Sequence, residues 1–290
     1  MLHQTIETSP AQAPGIAAEA DEAGTVGAAV TGSTSSKVLA LTLAYEGQGF
    51  HGFARQPGIR TVQGEVETAL GVLLHRPVEI VGAGRTDAGV HALGQVVSFK
   101  LSETEFAARS FDKLRNALNA LTPDGIVVRK VEEKPEGFSA RFSAIEREYR
   151  YRLVFDPVEP LFVSRLAWWV PAERPPDIIA MRAGGSYLTG EHDFTSFCVA
   201  ASAQDKNTVR EVKDITIFGT QHLGEDCIVL LVRGNAFLHS MIRIMVGTLL
   251  EVALGRKEPA WVGEVLAARN RAVAGQTAPA HGLTFWRVRY

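Results

Sequence analysis

From residue 37 onward the chain alternates short apolar runs with amphipathic stretches. Residues 38–45 are rich in Leu and β-branched side chains and lead into Gly47-Gln48-Gly49, which predicts a strand and its exit. Thr61 stands as an N-cap before 62–75, where Val62, Val66, Ala69, Leu70, Leu73 and Leu74 recur at helical spacing until Pro77 stops the run. Residues 78–81 read as a short strand and 94–99 as another. Phe111, Leu114, Leu118 and Leu121 form the apolar stripe of a helix that Pro123-Asp124-Gly125 ends, and 126–131 returns as a strand.

A second unit follows. In 147–155 the residues Tyr149, Tyr151, Leu153 and Phe155 fall on one face of a strand, and Arg150 and Arg152 fall on the other. The pattern then predicts a helix over 177–188, strands near 209–218 and 227–232, a long helix over 236–254 and a final strand at 283–290. The apolar 236–254 stretch is interrupted by His239, Arg243, Gly247 and Glu251, which suits a buried helix better than a membrane span. Strands alternating with helices argue for an α/β or α+β layer with helices over a sheet. The expected division is an N-terminal α/β domain over 37–142 and a C-terminal α/β domain over 143–290.

Residues 1–36 break this rhythm. They are rich in Ala, Gly, Ser and Thr, hold Glu7, Glu19, Asp21 and Glu22 and contain no Lys or Arg, which predicts a disordered leader rather than a secretory or transit peptide. The whole chain carries 30 basic and 32 acidic residues, a net of -2; without the leader the balance is 30 against 28, or +2. Any nucleic-acid site must therefore come from a local cluster of cations. Arg141, Arg147, Arg150 and Arg152 are candidates, with Arg109, Lys113 and Arg115 in the first unit. Cys198 and Cys227 have no Cys-x-x-Cys or histidine company, so neither a disulfide framework nor a zinc site is expected and a reducing cytoplasm fits best.

The candidate chemistry concentrates in Gly82-Ala83-Gly84-Arg85-Thr86-Asp87-Ala88-Gly89-Val90-His91-Ala92. Small residues around Asp87 let a substrate approach the backbone, and the glycines allow dihedrals that other residues resist. Arg85 can keep a nearby carboxylate ionised, take a phosphate or stack on a base. Arg243 lies inside an apolar helix and needs an acid or a phosphate as partner.

The segment GRTDAGVHA resembles the signature of the tRNA pseudouridine synthase A (TruA) family, where it surrounds the catalytic aspartate. Further matches follow in order: Thr61-Val62-Gln63, 138–144, Tyr149-Arg150-Tyr151, 190–197 and the run from Asn235 to Arg243. The chain departs from the family pattern in having Phe50-His51-Gly52-Phe53 for an aromatic Tyr-x-Gly-Trp and Arg243-Ile244 for Arg-Asn. The resemblance implies a pseudouridine-synthase fold, α+β, with two α/β domains around a mixed, mostly antiparallel central sheet. It also implies that Asp87 is the catalytic aspartate, that Arg243 pairs with it, that Tyr149 packs against the target base, and that Arg85 helps displace the nucleotide. The implied reaction is isomerisation of uridine to pseudouridine at positions 38–40 of the tRNA anticodon arm, by a cytoplasmic homodimer that needs neither metal nor cofactor.

In that reaction Asp87 could attack C1' of the ribose, deprotonate C2' or add to C6 of the ring, and the residues leave all three open. The target base must leave its stack, and Arg85 is placed to fill the vacancy. Two other readings compete: an RNA-binding module in which Asp87 only closes a turn, and an Asp-nucleophile hydrolase, for which no metal-binding carboxylate set is evident near the loop.

Overall fold

Burial on both faces builds the first strand: Leu39, Leu41 and Leu43 on β1 (Ser36–Tyr45) are fully buried, with Val38 and Ala40 covered on the other side, and each large apolar side chain contributes about 1.5–3 kcal/mol. The structure is a computed structural model that describes residues 36–108, 110–203 and 207–290. The predicted leader, up to residue 35, and Arg109 lie outside the described residues.

Thr61 caps α1 (Val62–Leu74) by accepting from the Gly64 amide at 3.3 Å, and His75 closes the helix in the left-handed region at φ 55. The short β2 (Val81–Gly82) leads into the Asp87 loop and β3 (His91–Ser102) leaves it, so the loop lies between two paired strands. Next come α2 (Glu103–Ala107), α3 (Phe111–Leu121), whose Leu114 and Leu118 face the core, and β4 (Ile126–Lys134). The other half of the sheet is made by β5 (Glu146–Phe155), β6 (Trp168–Val170), β7 (Gly190–Asp193), β8 (Val209–His222), β9 (Glu225–Gly234) and β10 (Leu283–Arg289). Its helices are α4 (Ile178–Ser186), α5 (Ala200–Ala203), α6 (Met241–Ala253) and α7 (Trp261–Ala268).

The strands form one mixed sheet in the order β4-β1-β3-β10-β5-β9-β8-β7, with β2 on β3 and β6 on β5. All pairings are antiparallel except β10 with β3 and β5 with β6. The fold is α+β, as expected. The C-terminal strand β10 joins the halves: it pairs with β3 through only Thr284–His91 and Phe285–Ala92, and with β5 along most of its length.

The sequence pattern misplaced some boundaries. β3 begins at His91 rather than residue 94, because a strand buried on both faces need not alternate. α6 begins at Met241 rather than 236, because Ser240 takes the left-handed conformation at φ 58 and leaves 235–240 as a loop. That loop bears directly on the site.

Candidate active site

The Asp87 loop is held at Ala83, Gly84 and Thr86 as well as at Asp87 itself. Ala83 donates its amide to Val96 (2.8 Å), and its carbonyl accepts from Arg147 Nε and Nη2 (3.2 and 3.0 Å). The Gly84 carbonyl accepts from Gln95 Nε2 at 2.7 Å, Thr86 Oγ1 bonds the Tyr45 hydroxyl at 2.7 Å, and the Thr86 carbonyl accepts the Phe53 amide at 3.0 Å. Gly52, at φ 93, lets its own segment pass against this loop; a side chain there would meet the Thr86 carbonyl and the Ala88 amide. Of the loop glycines, only Gly89 has a positive φ. Gly82 and Gly84 are small for a different reason: a Cβ at Gly82 would enter the Phe53 ring, and one at Gly84 would stand 3.4 Å from the Tyr149 hydroxyl.

Asp87 is mostly covered, with its side chain 20% exposed. Its Oδ2 accepts from Ser240 Oγ at 2.7 Å and from Arg243 Nη1 at 2.9 Å, while His239 Nε2 stands 3.6 Å from Oδ1. Arg243 is itself held: its Nε donates to the Ala278 carbonyl at 2.7 Å, and its own carbonyl accepts the Ala278 amide at 3.1 Å. With its side chain anchored through Nε and its backbone through the carbonyl, Arg243 presents Nη1 to Asp87 in one orientation. The sequence reading placed neither Ser240 nor His239 in the site, since both fell inside the predicted helix. The signal available was the polar pair His-Ser within an otherwise apolar run.

Tyr149 lies on β5 with its ring buried, stacked on Phe285 at 4.6 Å and edge-on to Phe237 at 5.3 Å. Burial pushes its phenol well above the usual range, with Tyr45 and Asp87 adding to the shift. Its hydroxyl makes no hydrogen bond among the described residues, so the end it can present to a substrate is polar and protonated. Arg85 is exposed and reaches outward from the loop. The structure thus gathers Asp87, Arg243 and Tyr149 around one loop and turns Arg85 toward solvent.

A cleft of about 440 Å³ opens beside Ala88 and Gly89 and is lined also by Gln48, Phe50, His51 and His281. Burial lowers the pKa of His281, which favours its neutral form. A larger groove of about 1080 Å³ runs along α1, past Arg55, Arg60 and Arg76, and touches no residue of the Asp87 loop. Among the described residues no group of three or more His, Cys, Asp or Glu could hold a metal ion.

The cation candidates separate. Arg147 spends its guanidinium on the carbonyls of Ala83, Arg141, Ala144 and Asn235, so it braces the loop rather than facing solvent as a free charge. Arg150 joins Arg233 and Arg287 around the buried Glu148 carboxylate and lies 3.8 Å over the Trp286 ring. Burial alone would raise the pKa of Glu148, but hydrogen bonds from Arg150 and Arg233 and the charge of Arg287 outweigh it and hold the group below its usual range. Arg152 is tied to Thr284 Oγ1 at 3.2 Å. Lys113 and Arg115 sit on α3, where Arg115 pairs with Asp112 at 3.1 Å.

A mixed sheet that carries a clamped carboxylate on a glycine-rich loop, with a buried tyrosine and a helix-borne arginine converging on it, defines an enzyme of the pseudouridine synthase class. Residues 42–143 and 186–290 match the family described as tRNA pseudouridine synthase, and the chain belongs to that family. Arg85, Asp87 and Arg243 lie within the matched stretches, and Tyr149 lies between them. The tRNA pseudouridine synthase A of Brevibacillus brevis is 46% identical over 255 residues, covering 88% of this chain and all of the relative. That of Bacillus pumilus is 44% identical over 86% of this chain and 97% of the relative. A third, from Thermotoga neapolitana, is 40% identical over 86% of this chain and 98% of the relative.

Proposed function

We propose that this protein isomerises uridine to pseudouridine in the anticodon stem-loop of tRNA, at positions 38–40, with Asp87 as the catalytic residue. The observation that carries the reading is the Asp87 carboxylate, fixed through Oδ2 by Ser240 and Arg243 on a loop whose backbone is braced from several sides. Relatives named tRNA pseudouridine synthase A, aligned over nearly their whole length, support the substrate class.

The reaction breaks the bond between C1' and N1 of uracil, forms one between C1' and C5, releases the hydrogen of C5 as a proton and leaves N1 protonated. Redox chemistry has no place in that balance. The Arg243 guanidinium donates to this carboxylate at 2.9 Å, a charge-assisted hydrogen bond that holds it in place. The carboxylate can then attack C1', take a proton from C2' or add to C6. Tyr149 meets the extruded base at its hydroxyl end and relays the C5 proton, while Arg85, exposed on the same loop, enters the space the base leaves. The tRNA is held by phosphate and shape contacts. A homodimer working in a reducing cytoplasm would double the basic surface of a body whose net charge is only +2 without the leader, 30 basic residues against 28 acidic.

Tritium release from tRNA labelled at C5 of uracil tests the reading, with wild type beside Asp87→Asn. Release by the wild type alone is expected. Binding of tRNA by both proteins without release by either would replace the enzyme with an RNA-binding module.

A further inference from the structure

Ser240 occupies the N-cap position of α6 without acting as a cap. A serine there ordinarily takes an extended backbone and accepts a hydrogen bond from an amide in the first turn. This one has φ 58 and ψ 12, in the left-handed region, and its side chain caps nothing. The left-handed conformation costs a non-glycine residue free energy, and such residues persist where the surroundings hold them, often at functional sites. Here the compensating contact is visible: Ser240 Oγ lies 2.7 Å from Asp87 Oδ2. A carboxylate is acceptor-only, so the hydroxyl donates.

We propose that Ser240 is a positioning residue for the reaction, which with Arg243 immobilises Oδ2 of Asp87 and leaves Oδ1 as the oxygen that meets the substrate. The proposal rests on the reading of Asp87 as the catalytic residue. Two donors from one helix start, a hydroxyl at position 240 and a guanidinium at 243, converge on the same oxygen. The Arg243 contact comes from a side chain anchored on Ala278, and the Ser240 contact from a backbone twisted to reach. Together they fix the rotation of the carboxylate, which neither donor does alone. Among the described residues Oδ1 receives no hydrogen bond as short as these; His239 Nε2 is its neighbour at 3.6 Å.

The conformation supplies the test. Ser240→Gly and Ser240→Ala both remove the hydroxyl, but glycine is at ease at φ 58 and alanine is not. Single-turnover tritium release, tRNA binding and melting temperature are measured for wild type and both variants. Hydrogen bonds to charged groups are worth enough to predict a fall of about 10- to 100-fold in the single-turnover rate of both variants, with tRNA affinity unchanged. Melting temperature should hold or rise in the glycine variant and fall in the alanine variant. Activity that follows melting temperature, full in glycine and reduced in alanine, would show a purely structural role and overturn the proposal, as would a loss confined to tRNA binding. Absence of release from the wild type would sink the synthase reading itself and this proposal with it.

Discussion

Gly247 lies on α6 four residues past Arg243, and replacing it with alanine should damage both stability and catalysis. On α6 its Cα faces the backbone of Gln276: an added Cβ would stand 2.9 Å from the Gln276 carbonyl carbon and closer still to its oxygen. From the other side, a Cβ on Gly275 would lie 2.5 Å from the Gly247 oxygen and 2.6 Å from the Thr248 nitrogen. Backbone meets backbone here, so no flexible side chain can yield. Separating the two also strains the bond from the Gly275 amide to Thr248 Oγ1, now 3.0 Å. Overpacking costs about 1–3 kcal/mol and a buried hydrogen bond about 1, while alanine regains about 1 kcal/mol of helix propensity over glycine. The net is a loss of about 1–3 kcal/mol, or about 2–6 °C in melting temperature for a chain of this size. The same displacement moves Ala278, whose carbonyl anchors Arg243 Nε at 2.7 Å, and if Asp87 acts as proposed a shift of about 1 Å there costs about 100-fold in rate. Calorimetry and tritium release would be run beside Gly71→Ala, a helical glycine whose added Cβ meets only the Arg76 oxygen at 3.4 Å and should be tolerated. If Gly247→Ala melts and turns over like Gly71→Ala, the keying of 274–278 against α6 is wrong as an account of how Arg243 is held.

Two further outcomes are expected. Tyr149→Phe removes a hydroxyl that makes no hydrogen bond within the described residues, so the melting temperature should hold; turnover should fall by about 100-fold or more if the hydroxyl relays the C5 proton, and a wild-type rate would exclude that role. Glu105 is held at about 2, against an ordinary 4.5, chiefly by its hydrogen bonds from Arg76. Its folded pKa is depressed, so its contribution is present above pH 4.5 and is lost as pH falls toward 2. Arg76 is 40% exposed, and solvent screening leaves about 1 kcal/mol. Arg76→Met should therefore lower stability by about that much at pH 7 and flatten the acid limb of a denaturation series between pH 5 and 2; an unchanged acid limb would refute the assignment.

The sequence by itself determined the elements whose local physics is complete within a few residues. Thr61 with the periodic Val62, Val66 and Leu70 specified α1, and Leu114 and Leu118 specified the buried stripe of α3, because capping and amphipathic spacing are local properties. The alternation of Tyr149, Tyr151 and Leu153 against Arg150 and Arg152 gave the two faces of β5 for the same reason. The Asp87 loop and Arg243 were legible because small residues around a carboxylate, and an arginine within an apolar helix, are each poor ways to build core.

Tertiary structure alone decided the rest. Nothing local marks β10 as the strand that joins β3 to β5, since that pairing links residues far apart in the chain. Arg147 and Arg150 looked alike in sequence, yet one braces the Asp87 loop through four backbone carbonyls and the other shares a buried glutamate with two arginines from β9 and β10. The late start of α6 came from a single left-handed residue, which helix propensity and periodicity do not register. That residue places a hydroxyl on Asp87 from 153 positions away, a contact only the assembled sheet and its packed helix can create.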